Sequence, residues 1–228
     1  MAAPPYARES FIGSLLETDR DALLSLGHHR EWQRGDVLFH TGDRADSAVV
    51  LLAGLVKVHK VAPDGADVVL ALLGPGDLLG EISAVRDALR SATATALDPV
   101  RAMVIAVRDL RAFLSTHHDS TLALLELTVS RLYAADARRL EFATAGSLAR
   151  VSSRLVELAE RFGERIDDGV IDVPVPISQE DLAAWSASSR ESTARALRTL
   201  RELGLVQTHR LRFTVLDIDG LRSHATRL

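Results

Sequence analysis

The chain has 228 residues, 47% of them hydrophobic and 25% charged, with 27 basic against 31 acidic side chains and a net charge of −4. That length exceeds one average domain and can bury two modest cores. No apolar run approaches the ~20 residues that span a bilayer, residues 1–10 show no basic or apolar leader pattern, and the lack of cysteine removes disulfides, iron–sulfur ligation, thiolate zinc sites and a cysteine nucleophile. The expectation is a cytoplasmic protein with no membrane association.

The first hundred residues read as short strands between tight turns, after a short helix at Asp19–Leu26. Strands are predicted at Val37–His40, Ser47–Ala53, Leu55–Val61, Val68–Leu73, Ser91–Leu97 and Val100–Ala106. Gly42-Asp43, Ala53-Gly54, Pro63-Asp64-Gly65, Gly74-Pro75-Gly76-Asp77 and Asp98-Pro99 supply the turns. Such spacing predicts a small antiparallel barrel or jelly roll.

Within it, Gly76-Asp77-Leu78-Leu79-Gly80-Glu81-Ile82-Ser83 is followed by Arg90-Ser91-Ala92-Thr93-Ala94. A glycine lets a backbone amide approach an anion, and an arginine supplies the countercharge for a phosphate. A glutamate beside a phosphate is repelled unless it accepts from sugar hydroxyls. These parts suit a ribose carrying a cyclic phosphodiester better than a triphosphate, for which the chain has no lysine loop of the Walker type. The alternative is a structural Glu81–Arg90 salt bridge over an empty cavity.

From Val107 the period changes to that of helices: Val107–Ser115, then a long one from Asp119 to about Ala145. Leu122, Leu125, Val129, Leu132, Asp136, Arg139 and Ala143 recur at alternating spacings of three and four, a coiled-coil seam that homodimerisation would cover. Gly146 interrupts the pattern, and Ser147–Phe162 resumes it. A turn at Asp167-Asp168-Gly169 and a strand at Val170–Val173 lead to two helices, Gln179–Trp185 and Ser189–Leu203. A strand from Leu205, a turn near His209–Leu211 and a strand from Arg212 to Leu216 then form a wing.

The two helices carry the clearest chemistry. Ser178 and Asp181 have the spacing of a capping box, and Ser188 or Ser189 caps the second helix. Leu182, Trp185, Thr193 and Leu197 face inward across a turn of about four residues, the layout of a helix-turn-helix. Arg190, Glu191, Ser192 and Arg195 then occupy the exposed start of the second helix, where a recognition helix reaches base edges. Arg198 and Arg201 lie further along, placed for phosphates. Residues 1–112 hold 12 basic and 15 acidic side chains, whereas Arg190 to Arg212 holds six arginines against Glu191 and Glu202. That local excess suits a DNA reader on a mildly acidic protein.

Two stretches, Ser189-Arg190-Glu191 with Arg195, and Gly80-Glu81 with Arg90-Ser91, resemble the cAMP receptor protein/FNR family of transcription regulators, and the resemblance extends along essentially the whole chain. It implies an α+β fold: an N-terminal cyclic-nucleotide-binding barrel (double-stranded β-helix, jelly roll) at 1–116, a dimerisation helix at 117–145, and a winged helix-turn-helix at 146–228. It implies that Arg190, Glu191 and Arg195 read bases, that Gly80 and Glu81 hold ribose, and that Arg90 and Ser91 hold the cyclic phosphate. Ala187 departs from the glycine many members have in the turn, a position where alanine is also common. Ala135 and Asp136 stand where cAMP-binding members carry the Thr-Ser pair that contacts adenine. Ala135 cannot make that bond. Asp136 either accepts from a base amino group or pairs with Arg139 of the facing helix.

The candidate ligand-binding residues are therefore Gly80, Glu81, Ile82, Arg90, Ser91, Ala135 and Asp136. The candidate DNA-contacting residues are Gln179, Ser189, Arg190, Glu191, Ser192, Arg195 and Arg198. The expected effector is a cyclic nucleotide, cAMP ranked before cGMP, with no cofactor required. The expected partners are double-stranded operator DNA, RNA polymerase and a second copy of the chain. No nucleophile elbow or HExxH is present, and the adjacent pairs His28-His29 and His117-His118 diverge, so neither an enzyme nor a metal site is expected. The runner-up is the same fold regulating DNA without a nucleotide, either constitutively or through a protein partner. A cyclic-nucleotide-binding subunit of an enzyme ranks below both.

Overall fold

A computed structural model describes residues 6–7, 10–82, 88–167 and 169–225. Ser83, in the glycine-rich stretch, and Asp168, in the predicted turn, lie outside the described residues. The chain divides into two compact units, Met1–Lys60 with Leu70–Leu132, and Val61–Val69 with Tyr133–Leu228.

The first unit opens with two helices, α1 (Phe11–Ser14) and α2 (Glu17–Ser25). The strands are β1 (His28–Trp32), β2 (Val37–Phe39), β3 (Ser47–Ala53), β4 (Val56–Val61), β5 (Asp67–Leu73), β6 (Leu78–Leu79), β7 (Thr93–Ala96) and β8 (Val100–Ala106). They form two four-stranded sheets, ordered β1-β8-β3-β6 and β2-β7-β4-β5. The described pairings within them are antiparallel, as the short strands and tight turns require.

β3 and β8 are largely apolar because both faces of their sheet are buried. Side chains alternate across a strand, so Val49 and Leu51 join Val56, Ala94, Ala102 and Val104 in one core. Their neighbours Ala48 and Val50 join Met103 and Ile105 in another, closed by Phe11, Ile12, Leu23, Leu110 and Phe113 of the helices. Helix α3 (Val107–Thr116) follows β8 directly, and the long helix α4 (His118–Thr144) follows α3.

The second unit contains α5 (Ser147–Phe162), β9 (Glu164–Asp167), β10 (Val170–Val173), α6 (Gln179–Trp185), α7 (Arg190–Glu202), β11 (Val206–His209), β12 (Arg212–Val215) and α8 (Ile218–His224). Its sheet runs β11-β12-β10-β9. Val151, Leu155 and Leu158 of α5, Leu182 and Trp185 of α6, and Leu197 and Leu200 of α7 form its buried interior with Val173, Val206 and Val215. At the end of α4, the buried carboxylate of Glu141 accepts from Arg154 of α5 at 2.9 Å. Arg154 also lies over the Trp185 ring.

Among the described elements, α1, β1, β6, β9 and α8 escape the sequence reading. β1 (His-His-Arg-Glu-Trp) exposes four of its five residues and β9 exposes all four, so neither shows alternation; both exist through pairing with β8 and β10. The two-residue β6 is too short for a period and pairs with β3.

Candidate functional site

The glycine-rich stretch and Arg90 come together in the first unit. The backbone of Arg90 is pinned to the β2–β3 turn: its amide donates to Asp43 at 2.9 Å, and its carbonyl accepts from Gly42 at 2.9 Å. The residue is 4% exposed; its guanidinium donates from Nη2 to the Ser47 carbonyl at 2.6 Å and lies 4.2 Å from the centroid of the Phe39 ring. Nε and Nη1 are buried with no hydrogen-bond acceptor among the described residues. Gly80, at φ +80°, leaves the space in which Nη1 lies; any Cβ there would overlap it. Burial lowers the Arg90 pKa, and the nearby carboxylates of Asp46, Asp43 and Glu81 oppose that shift.

Glu81 is buried beside this arginine but does not pair with it, contrary to the bridge considered from the sequence. Arg131 of α4 takes the Glu81 carboxylate instead and donates to the Leu78 carbonyl at 2.9 Å. The reason is reach: Arg90 is committed to Ser47 and Phe39, whereas Arg131 extends from the helix to the strand end. Pattern reading misses Arg131, because no local spacing connects it to Glu81. Ile82 and Ser91 are exposed. On α4, Ala135 is half-buried, and the exposed Asp136 accepts from Arg139 of its own helix at 2.9 Å. The pair considered across facing helices thus forms within one turn.

In the second unit, the capping box is present. Ser178 Oγ accepts from the Asp181 amide at 3.0 Å, and the Asp181 carboxylate accepts from the Ser178 amide. Ser189 caps α7, accepting from the Ser192 amide at 3.1 Å. Leu182, Trp185, Thr193 and Leu197 are all buried, which fixes α6 against α7. Between them, Ala187 adopts φ +46°, the left-handed conformation that glycine takes freely and alanine takes at a cost.

Arg150 holds this turn. Its guanidinium donates to the carbonyls of Ser186 at 2.8 Å, Ala187 at 3.0 Å and Ala145 at 2.7 Å. Pattern reading misses it because, apart from nearby Ala145, its partners lie in a turn 36 to 38 residues further along the chain.

Gln179, Ser189, Arg190, Glu191, Arg195 and Arg198 are exposed, and Ser192 is half-buried. Arg190 pairs with Glu180 of α6, and Arg195 with Glu191 at 3.3 Å. Arg201 donates to Thr208 of the wing at 3.1 Å, so it braces β11 against α7.

Residues 29–117 match the family described as cyclic nucleotide-binding domain, and residues 149–224 match the Crp-like helix-turn-helix domain. The chain belongs to the cAMP receptor protein/FNR family of transcription regulators. The family's members are DNA-binding regulators and not enzymes.

Among relatives, a CRP-like cAMP-activated global transcriptional regulator of Mycobacterium tuberculosis is 27% identical over 86% of this chain and 87% of its own. A global nitrogen regulator of Synechococcus elongatus is 26% identical over 82% and 85%. A solved transcriptional regulator of the CRP family from Thermus thermophilus, 27% identical, superposes with a TM-score of 0.71 over 86% of this chain and 96% of that one. The α+β architecture, a cyclic nucleotide-binding domain, a long helix and a C-terminal helix-turn-helix, is that of the family. Among the described residues, no helix is long and apolar enough to cross a membrane.

Proposed function

We propose that this CRP/FNR regulator is gated by a cyclic nucleotide and binds an inverted-repeat operator as a homodimer in the cytoplasm, in contact with RNA polymerase. Residues 1–116 serve as sensor, 117–145 as dimerisation helix and 146–228 as DNA reader. The observation that carries the nucleotide reading is Arg90: a buried guanidinium with two nitrogens unsatisfied, beside a glycine that leaves room for it. Buried donors without acceptors are costly and rare, and a cyclic phosphate would supply the acceptors. Gly80, Glu81, Ile82 and Ser91 complete the pocket edge, and the family resemblance assigns Ala135 and Asp136 to the base.

The ranking of cAMP over cGMP has support from the M. tuberculosis relative, whose name describes it as cAMP-activated. A carboxylate at Asp136 favours guanine, since it can accept from N1–H and N2–H₂ together. The dimer reading draws on α4, where Leu122, Leu125, Val129 and Leu132 are exposed along one seam. DNA is read through Arg190, Glu191 and Arg195, with Gln179, Ser189, Ser192 and Arg198 on the flanking backbone.

Calorimetric titration of the full chain with cAMP and cGMP tests the reading, in wild type, Arg90→Leu and Asp136→Ala. Binding to wild type that Arg90→Leu abolishes supports the pocket, and a changed cAMP:cGMP affinity ratio in Asp136→Ala places that residue on the base. If neither nucleotide binds wild type, the pocket reading fails for these effectors, and the runner-up, regulation without a nucleotide, stands in its place.

A further inference from the structure

Arg190 is the first residue of α7, at the positive end of the helix dipole, where a cation is disfavoured and a carboxylate welcome. Its long, flexible side chain, 73% exposed, would also sample many rotamers if left alone. The Glu180 carboxylate offsets both effects. It projects from the second residue of α6 and takes Nη2 of Arg190 across the turn.

The bond joins the two helices through exposed side chains, apart from the buried Leu182 and Leu197 that pack their inner faces. A guanidinium has five N–H donors, so one hydrogen of Nη2 can remain on Glu180 while the other, with Nη1, faces a guanine edge.

We infer that Glu180 is a positioning residue for DNA reading, a clamp that fixes the Arg190 fork before it meets the bases. The inference rests on the reading that Arg190 contacts a base. Its consequence is a split between affinity and discrimination. A carboxylate near the phosphate backbone weakens binding to every sequence alike, while a fork held in one direction sharpens the preference for one base pair over its alternatives. Glu180 therefore lowers non-specific binding and raises selectivity at a single position in each half-site. The neighbouring Glu191–Arg195 pair lies within one helix and spans no such gap.

The experiment begins by selecting binding sequences from random duplex DNA with the full-length protein, with and without cAMP. Dissociation constants are then measured for the selected sequence and its single-base-pair variants. The proteins compared are wild type, Glu180→Gln, Arg190→Ala, the double variant, and Glu202→Gln, which removes an exposed carboxylate from the far end of α7.

The clamp predicts that Glu180→Gln reduces discrimination at one base pair per half-site by about two- to fivefold, the range open to an exposed ion pair. It also predicts tighter binding to mismatched sequences, and no further loss of discrimination when Arg190 is already alanine. Glu202→Gln should shift all sequences by one factor. If Glu180→Gln behaves like Glu202→Gln while Arg190→Ala relaxes discrimination, the clamp is wrong and the base-reading role of Arg190 survives. If Arg190→Ala leaves discrimination unchanged, both fall.

Discussion

Glu81 is held by Arg131, whose two terminal nitrogens serve the Glu81 carboxylate and the Leu78 carbonyl together. The carboxylate side chain is 7% exposed, against 29% for the arginine. Replacing Arg131 by methionine keeps most of the packing and leaves a buried charge without its partner. The expected loss is about 1–3 kcal/mol, below the range for a fully buried pair because Arg131 is partly solvated. Urea denaturation of the two proteins checks it. Lysine at this position should recover only part of the loss, since one ammonium cannot reproduce the two-point contact.

Ala187 costs stability where the helix-turn-helix bends. Its φ of +46° is open to glycine without penalty. Ala187→Gly should therefore stabilise the protein by about 0.5–1 kcal/mol, the relief of left-handed strain less the greater freedom glycine has when unfolded. A higher denaturant midpoint with unchanged DNA affinity is the expected result. Ala187→Val should move the midpoint the other way.

Arg150 joins Ala145, just past the end of the long helix, to the Ser186 and Ala187 carbonyls of the turn. Bonds from a charged donor contribute about 1.5–3 kcal/mol each when dry and do not add fully. Arg150→Met should therefore lower stability by about 2 kcal/mol, since water replaces part of what is lost. Hydrogen exchange should show the loss locally, as faster exchange of the Ser186–Ser189 amides, while that of the β3–β8 amides stays as in wild type.

Asp98 gives a pH-dependent prediction. It accepts from the Leu55 amide at 2.6 Å, yet burial raises its pKa above the ordinary 3.8 and outweighs that bond. A raised carboxyl pKa means the folded state binds the proton more tightly than the unfolded chain does. Its contribution is fully present below the unfolded pKa and is lost as pH rises through the folded one. Asp98→Asn keeps an acceptor for Leu55 without the charge. Relative to wild type, the variant should gain stability as pH rises from the ordinary carboxyl range towards neutrality, measured as the difference in melting temperature at each pH. A difference that stays flat across that range would contradict the burial argument.

Much of the fold is legible in the sequence because it rests on short-range regularities. The apolar runs of β3 and β8, the seam of α4, and the caps at Ser178 and Ser189 are each decided by residues within one strand, one helix or one turn. The motifs Gly80-Glu81 with Arg90-Ser91, and Ser189-Arg190-Glu191 with Arg195, are recognisable for the same reason: their spacing is fixed in the chain.

Between elements, tertiary structure alone decided which charges meet. Glu81 lies nine positions before Arg90 but bonds to Arg131; Arg190 reaches back to Glu180; Arg150 reaches the turn at Ser186–Ala187. A long cationic side chain can satisfy any acceptor within several ångströms of its tip, and the sequence does not say which backbone will be there. Apolar patterning sets where elements lie because burial is non-directional and large. Ion pairs are directional and decided last, after packing has fixed the distances between their tips.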